Sequence, residues 1–456
     1  MRIDPNTPHQ NNFFDATLWD YLDRSDPLIQ LADALPWGII EDALSGFYSS
    51  DNGRPALPIR LMAGLLILKQ LENLSDETMT LQWKRNPYYQ YFCGAKSFQN
   101  AAPCHATELV KFRQRIGAEG VESIFKCSVL LHGEAAEEAT VNIDTTVQEK
   151  NITYPTDGKL AIKIINRLNK MAKRHGIKQR RTFVKEVKEQ RLKLRFFRHV
   201  KKRASARKAV KRLRTIAGIL LRELNRKLEA DQRAFYQSDF ELFERVLKQR
   251  QHDSNKLYSL HEPQIYCVAK GKDHKPYEYG TKASIVSTAK GGIILSAVSH
   301  PHNIHDSKTL QTVLAKASEC RKTMIKQAVC DRGYRGVTRV NGVEIVLPKP
   351  PLKRDSRYQR DKKRKQCRQR AAIEPLIGHL KQHYRLAWNM LKGSVGDEIN
   401  VLMAACAWNL KKWINRVLAS FFSRKNRRQT TFISGLNTIL KVVWSIGLIH
   451  TAYRRR

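Results

Sequence analysis

The sequence lacks the features that would place it in a membrane, outside the cell or in a metal-thiolate fold. No run of about 18 uninterrupted apolar residues occurs, which is the length that a membrane-spanning helix requires. The N-terminus has no apolar segment of the secretory kind. The 8 cysteines are scattered without a Cys-x-x-Cys pair, so neither a disulfide framework nor a zinc ribbon is predicted. These absences favour a reducing, cytoplasmic compartment and no membrane partner.

Acidic residues are also scarce. The 456 residues include 42 acids against 82 lysines and arginines, which gives a formal net charge of +40. An excess of this size attracts phosphate backbones. Apolar residues make up 42% of the chain, which is typical of a folded protein. The composition therefore predicts a globular protein whose partner is nucleic acid.

The N-terminal part, residues 1–135, is predicted to be a helical DNA-binding domain. Apolar periodicity predicts a helix over 58–71, Ser75 is placed to cap a second over 76–84, and a third is predicted over 106–116. The third helix carries Arg113 and Arg115, which we expect to contact DNA in the manner of a helix-turn-helix protein. An ordinary helical bundle with a solvated charged face is the alternative.

The rest of the chain alternates strand and helix patterns, which predicts a mixed α/β domain interrupted by a basic insert. The predicted parts are a first core strand within 136–158, a helical insert over 159–260, the remainder of the domain over 261–420 and a basic tail over 421–456. Between residues 159 and 230, 26 lysines and arginines face only 4 acids, and apolar residues recur at helical spacing. A phosphate-binding surface is favoured there over a merely solvated face. A basic linker is predicted over 353–370.

Three acids occupy positions that suit a metal site. Asp144 lies in an apolar strand-like run, Asp331 ends a second run before a glycine turn, and Glu374 lies in a helical pattern. Carboxylates so placed can hold two Mg²⁺ or Mn²⁺ ions for phosphoryl transfer. Each acid alone is more often a surface carboxylate or helix cap, so only the joint arrangement favours metal binding. Arg370 and Lys381, near Glu374 on a helical wheel, are expected to hold DNA phosphates.

Several segments together resemble bacterial DDE transposases of the insertion-sequence-five type, within the broader insertion-sequence-four-like superfamily. They are residues 142–147 with 154–157, 270–272 with 277–282, 302–307, 331–336 and 373–381. The Tyr-x2-Arg-x3-Glu-x6-Lys signature of the family fits at Arg370, Glu374 and Lys381. Cys367 occupies its tyrosine position, which puts the role of residue 367 in doubt.

The resemblance spans roughly residues 14–415 and implies an RNase H-like mixed sheet with flanking helices. It implies Mg²⁺-dependent DNA cleavage at the ends of a mobile element, strand transfer into target DNA, binding to terminal inverted repeats and a homodimer in the synaptic complex. Asp144, Asp331 and Glu374 would be catalytic, and Lys282 would be a further DNA contact. A nucleoid-associated protein of the bacterial cytoplasm is expected. Two alternatives stay open: a metal nuclease that cuts without joining, and a non-catalytic basic DNA-binding protein.

Overall fold

The structure is a computed structural model that describes residues 17–49, 55–197, 199–250, 252–271, 273 and 275–420. The predicted basic tail, 421–456, lies outside the described residues, and so does Lys272 of the predicted strand pair. Within this range no helix combines the length and the apolar character that crossing a membrane requires.

The N-terminal part is helical, as predicted. Its helices are α1 Leu18–Tyr21, α2 Pro27–Ala34, α3 Trp37–Ser45, α4 Ile59–Leu71, α5 Asp76–Arg85, α6 Pro87–Phe92 and α7 Ala106–Leu130. Helix α4 is buried along most of its length, so it forms the centre of this layer. The Ser75 hydroxyl accepts a hydrogen bond from the Thr78 N–H and caps α5. Helix α7 runs past the predicted end because Gly117, at φ 58°, kinks the chain without ending the helix.

The strands of the described part form one mixed sheet. They are β1 Thr140–Glu149, β2 Tyr266–Ala269, β3 Tyr277–Thr288, β4 Ile294–His300, β5 Gln327–Val329, β6 Arg339–Val340 and β7 Val343–Val346. β1 pairs antiparallel with β3, and β3 pairs on its other edge with β2 and β4. β5 runs parallel to β1, and β7 runs parallel to β5. The mixed α/β class predicted from the sequence is confirmed. The sheet and the N-terminal helices share one apolar core.

The segment between β1 and β2 is a helical insert with a core of its own. Its helices are α8 Asp157–Arg174, α9 Val184–Leu194, α10 Arg203–Lys227, α11 Ala230–Phe235 and α12 Gln237–Lys248. Leu160, Leu213 and Phe243 belong to a buried cluster that is separate from the core beneath the sheet. The predicted helical character of the insert is therefore confirmed.

The chain completes its fold with α13 Leu310–Glu319, α14 Arg357–Ala371, α15 Ile373–His383 and a helix over 393–420. The prediction of a basic linker over 353–370 is wrong, because α14 fills most of that range. A capping box formed by Ser356 and Gln359 starts α14. Pro375 lies in the first turn of α15, where its missing N–H costs no helical hydrogen bond.

Candidate active site

Asp144 and Asp331 are brought together by two adjacent parallel strands. β1 and β5 pair Asn142 with Val329, and residues two positions further along each strand point to the same face. Continuing this register by two residues sets Asp331 beside Asp144, on strands about 4.8 Å apart. The negative charge of Asp331 acts on Asp144 and raises its pKa. Two of the three predicted acids therefore lie together at the middle of the sheet.

The environment of Asp144 resists ionisation. Burial is the largest effect and raises the pKa of Asp144 to about 6. The Thr145 N–H donates to Asp144 Oδ1 at 2.8 Å and lowers the pKa, as do the charges of Arg370 and Lys270. A desolvated carboxylate next to a second carboxylate is costly to ionise without a cation. The pair is therefore poised to gain from a bound positive ion.

A chain of hydroxyl groups ties the Asp331 turn to β1. Asp331 Oδ1 accepts the Gly333 N–H at 2.8 Å and so caps the short 3-10 turn that follows the strand. Tyr334 in that turn is fully buried, and its hydroxyl lies 2.6 Å from Thr145 Oγ1. Thr145 Oγ1 lies in turn 2.9 Å from Ser284 Oγ on β3. Sequence reasoning missed this support, although strand alternation places Thr145 on the face opposite Asp144.

Glu374 is not assembled with the two aspartates in this conformation. It lies in the first turn of α15, which packs on β1. Its Oε1 accepts a hydrogen bond from Arg370 Nη1 at 2.6 Å, and its side chain is 55% exposed. Within the described part of the chain, no three His, Cys, Asp or Glu side chains form a group that could hold a metal ion. An exposed ion pair contributes only about 0.2–1 kcal/mol, so releasing Glu374 from Arg370 costs little.

Lys381 faces a buried glutamate instead of open solvent. Glu278 is 8% exposed and lies 3.4 Å from Lys381, 3.8 Å from Lys275 and 3.9 Å from Lys270. Burial lowers the pKa of Lys381. Because the charge of Lys270 also acts on Asp144, this cluster borders the acid pair. Sequence reasoning missed Glu278 as its organiser, although the residue lies in one of the segments that carry the family resemblance.

The expectation that Arg113 contacts DNA is wrong for this conformation, because its side chain is only 7% exposed. Its two terminal nitrogens donate to the carboxylate of Asp76 at 2.9 and 2.6 Å. Lys69 lies 3.0 Å from the same carboxylate. These buried ion pairs join α4, α5 and α7, so Arg113 stabilises the N-terminal layer.

The other two predicted DNA contacts differ from one another. Lys282 Nζ donates to Asp306 Oδ1 at 2.9 Å and to the Ile304 carbonyl at 2.8 Å, so its charge is engaged within the fold. Arg115 is exposed, and its guanidinium lies over the Tyr48 ring at 4.6 Å from the centroid. Arg115 therefore presents a cation to solvent and Lys282 does not.

Comparisons with known proteins place both ends of this architecture. Residues 17–115 match the family model described as Transposase domain (DUF772), and residues 248–410 match the one described as Transposase DDE domain. The chain is also similar to an uncharacterized protein, ORF8 in the nfe locus of Rhizobium meliloti. The two are 38% identical over 206 residues, which are 44% of this chain and 99% of that protein. No solved structure matches.

Proposed function

The chain belongs to the family of DDE transposases, and we propose that it cuts DNA at the ends of a mobile element and joins the freed 3′ end to target DNA. The family accounts for the RNase H-like class of the mixed sheet and for a dependence on divalent metal ions. The observation that carries the finer proposal is the pairing of Asp144 with Asp331 on neighbouring parallel strands.

The acids suit Mg²⁺ or Mn²⁺. Asp144 and Asp331 would hold the metal, and Glu374 would complete the site after leaving Arg370. Carboxylate oxygens are the ligands that hard divalent cations prefer. The raised pKa of Asp144 shows that the pair lacks a compensating charge from the protein, which is what a cation supplies. When bound, such ions activate a water or hydroxyl and stabilise charge on the phosphodiester oxygens.

The basic side chains at the border of the acid pair would position the DNA. Lys270, Lys275 and Lys381 are held together by Glu278, and Arg370 lies on the α14 side of the site. Cations fixed before the substrate arrives can hold a phosphodiester in line and stabilise the charge that develops on it. Asp144 must be ionised to take part, so the reaction requires a pH above the range in which this carboxyl binds its proton.

We further propose that the N-terminal helices bind the terminal inverted repeats and that two copies act together in the synaptic complex. The match of residues 17–115 to a transposase domain and the exposure of Arg115 support the first part. The second part extends the function of the family to this chain. The reaction would take place on DNA in the bacterial cytoplasm.

The experiment uses duplexes that carry the inverted repeats bracketing the gene, one intact and one already cut at the 3′ end. With Mg²⁺ the protein should cut the first duplex and join the second to a plasmid. Asp144→Asn, Asp331→Asn and Glu374→Gln should lose both reactions and still bind the ends, whereas Asp361→Asn, at an exposed position, should keep them. Cutting without joining would establish a nuclease, and binding without either reaction in the unchanged protein would overturn the enzymatic proposal.

A further inference from the structure

The longest helix of the insert carries a one-sided row of cations that the active site does not use. Helix α10 runs from Arg203 to Lys227, which is about 37 Å at 1.5 Å per residue. Six exposed basic residues lie along it, and we name them the α10 stripe: Arg203, Arg207, Lys208, Lys211, Arg222 and Arg226. None of the six takes part in an ion pair with another described residue.

The geometry of the helix keeps the α10 stripe on one side. At 100° per residue the six positions fall within an arc of about 140°. The opposite side buries Leu213, Ile216 and Leu220 in the core of the insert. The single acid of α10, Glu223, lies outside this arc and pairs with Lys227 at 2.7 Å. The stripe is therefore a continuous positive surface without an internal counter-charge.

Unpaired like charges one helical turn apart repel each other. Arg203, Arg207 and Lys211 are spaced by four residues, and so are Arg222 and Arg226. Such spacing destabilises a helix unless an external anion compensates it. The distance from Arg203 to Arg226 is about 35 Å, which is close to one turn of B-form DNA. A duplex offers phosphates at this spacing along its whole length.

Other occupants fit the α10 stripe less well. Binding to a membrane surface or to an apolar protein face requires large apolar side chains among the cations. Among the described residues, no large apolar side chain of α10 is exposed. The insert also leaves the sheet at the end of β1, the strand that carries Asp144, so it belongs to the same face of the polypeptide path as the DNA chemistry.

We propose that the α10 stripe binds the phosphates of a DNA duplex without reading its sequence, and so holds DNA outside the segment being cut. This inference rests on the proposed function and deepens it, because it assigns part of the DNA grip to the insert. The stripe would increase the affinity for every duplex by a similar factor. It would leave the choice of element ends to other residues.

The test compares two full-length variants with the same formal charge. Arg207→Glu, Lys211→Glu and Arg222→Glu are combined in one, and Lys170→Glu, Lys173→Glu and Arg245→Glu, exposed on α8 and α12, in the other. Both change the net charge from +40 to +34. Fluorescence anisotropy at several salt concentrations measures Kd for an element-end duplex and for a duplex of unrelated sequence.

The stripe variant should lose at least tenfold in affinity for both duplexes. The slope of log Kd against log salt concentration should fall by about 2.7, because each lost phosphate contact removes about 0.9. The control variant should lose much less. Equal losses in the two variants would overturn the proposal in favour of a net-charge effect. A loss confined to the element-end duplex would overturn it in favour of sequence reading.

Two further measurements keep the outcome decisive. A variant with glutamine at positions 207, 211 and 222 removes the cations without adding acids, and it should fall between wild type and the charge-reversed form. A change in sedimentation without DNA, at unchanged Kd, would identify a second copy as the partner and overturn the proposal. Asp144→Asn separates the two hypotheses, because it should lose cleavage but bind both duplexes as the wild type does.

Discussion

Arg370 Nη1 donates a hydrogen bond to Glu374 Oε1 at 2.6 Å, across the junction of α14 and α15. The charge of the same guanidinium lowers the pKa of Asp144. One cation thus acts on an acid of the helix and on an acid of the sheet. Because the pair with Glu374 is exposed and weak, Arg370 can hold the glutamate beside the sheet and release it at small cost.

Arg370→Gln should move the acid limb of the pH–rate profile for DNA cleavage to higher pH. Removing the cation raises the pKa of Asp144, so a higher pH is needed to ionise it. Rates are measured with Mg²⁺ at saturating DNA, so that weaker binding does not contribute. Arg364→Gln, at an exposed position on the same helix, is the control and should leave the limb in place. An unmoved limb in Arg370→Gln would show that Asp144 ionisation does not limit the rate.

Asp144→Asn should stabilise the metal-free protein at neutral pH. The pKa of Asp144 is about 6 in the fold against an ordinary 3.8, so the folded state binds the proton more tightly. The stability that this carboxyl contributes when protonated is lost as pH rises from 3.8 to 6, and it stays lost above. At 1.36 kcal/mol per pKa unit, the substitution should add up to about 3 kcal/mol to the free energy of unfolding above pH 6.

Urea denaturation in a metal chelator at pH 7.5 and pH 4.5 measures this effect. The gain of Asp144→Asn over wild type should be clearly smaller at pH 4.5, where the folded carboxyl is already protonated. Asp361→Asn, which removes an exposed carboxylate, should change little at either pH. The same gain at both pH values would contradict the raised pKa.

Asp76→Ala should destabilise the N-terminal layer by about 3–5 kcal/mol, the cost of leaving buried cations without a partner. Arg113 and Lys69 both pair with this carboxylate and are 7% and 10% exposed. Burial already lowers the pKa of Lys69 to about 8. Glu108→Ala removes the partner of the exposed Lys111 and should cost less than about 1 kcal/mol. Equal shifts of the two denaturation curves would return Arg113 to the candidates for DNA contact.

Glu278→Gln should lower Tm without DNA and increase the rise in Tm that DNA produces. The substitution removes the anion that compensates Lys270, Lys275 and Lys381, and phosphates can replace it. Thermal melts with and without a duplex measure both effects. Glu344→Gln, at an exposed position on β7, is the matched control. A DNA-induced rise equal to that of the wild type would show that these lysines do not meet phosphates.

Features that depend on neighbours along the chain were predicted well. The helix over 58–71 is α4, and the Ser75 cap, the Asp144 strand and the helices of the insert occur where periodicity and capping patterns indicated. Each of these is determined within a few residues by side-chain alternation or by a local hydrogen bond. The two aspartates could be anticipated as neighbours for the same reason, because both lie at strand positions before a turn.

Helix α14 was missed because it is polar on every side. No residue of it is buried, so it has no apolar periodicity, and only the capping box of Ser356 and Gln359 marked its start. The ion pairs that redirect Arg113 and Lys381 join residues 37 and 103 positions apart. Local sequence does not contain such pairings. For this reason the sequence indicated which side chains carry charge but not which of them reach DNA.

The central claim is that Asp144 and Asp331 hold a divalent cation together. Isothermal titration with Mn²⁺ at pH 7.5, without DNA, tests it most directly in the wild type, Asp144→Asn, Asp331→Asn and the exposed control Asp361→Asn. Each of the two site variants should bind Mn²⁺ at least tenfold more weakly than the wild type, and the control should bind it equally well. Undiminished Mn²⁺ affinity in both site variants, together with unchanged DNA cleavage, would contradict the account.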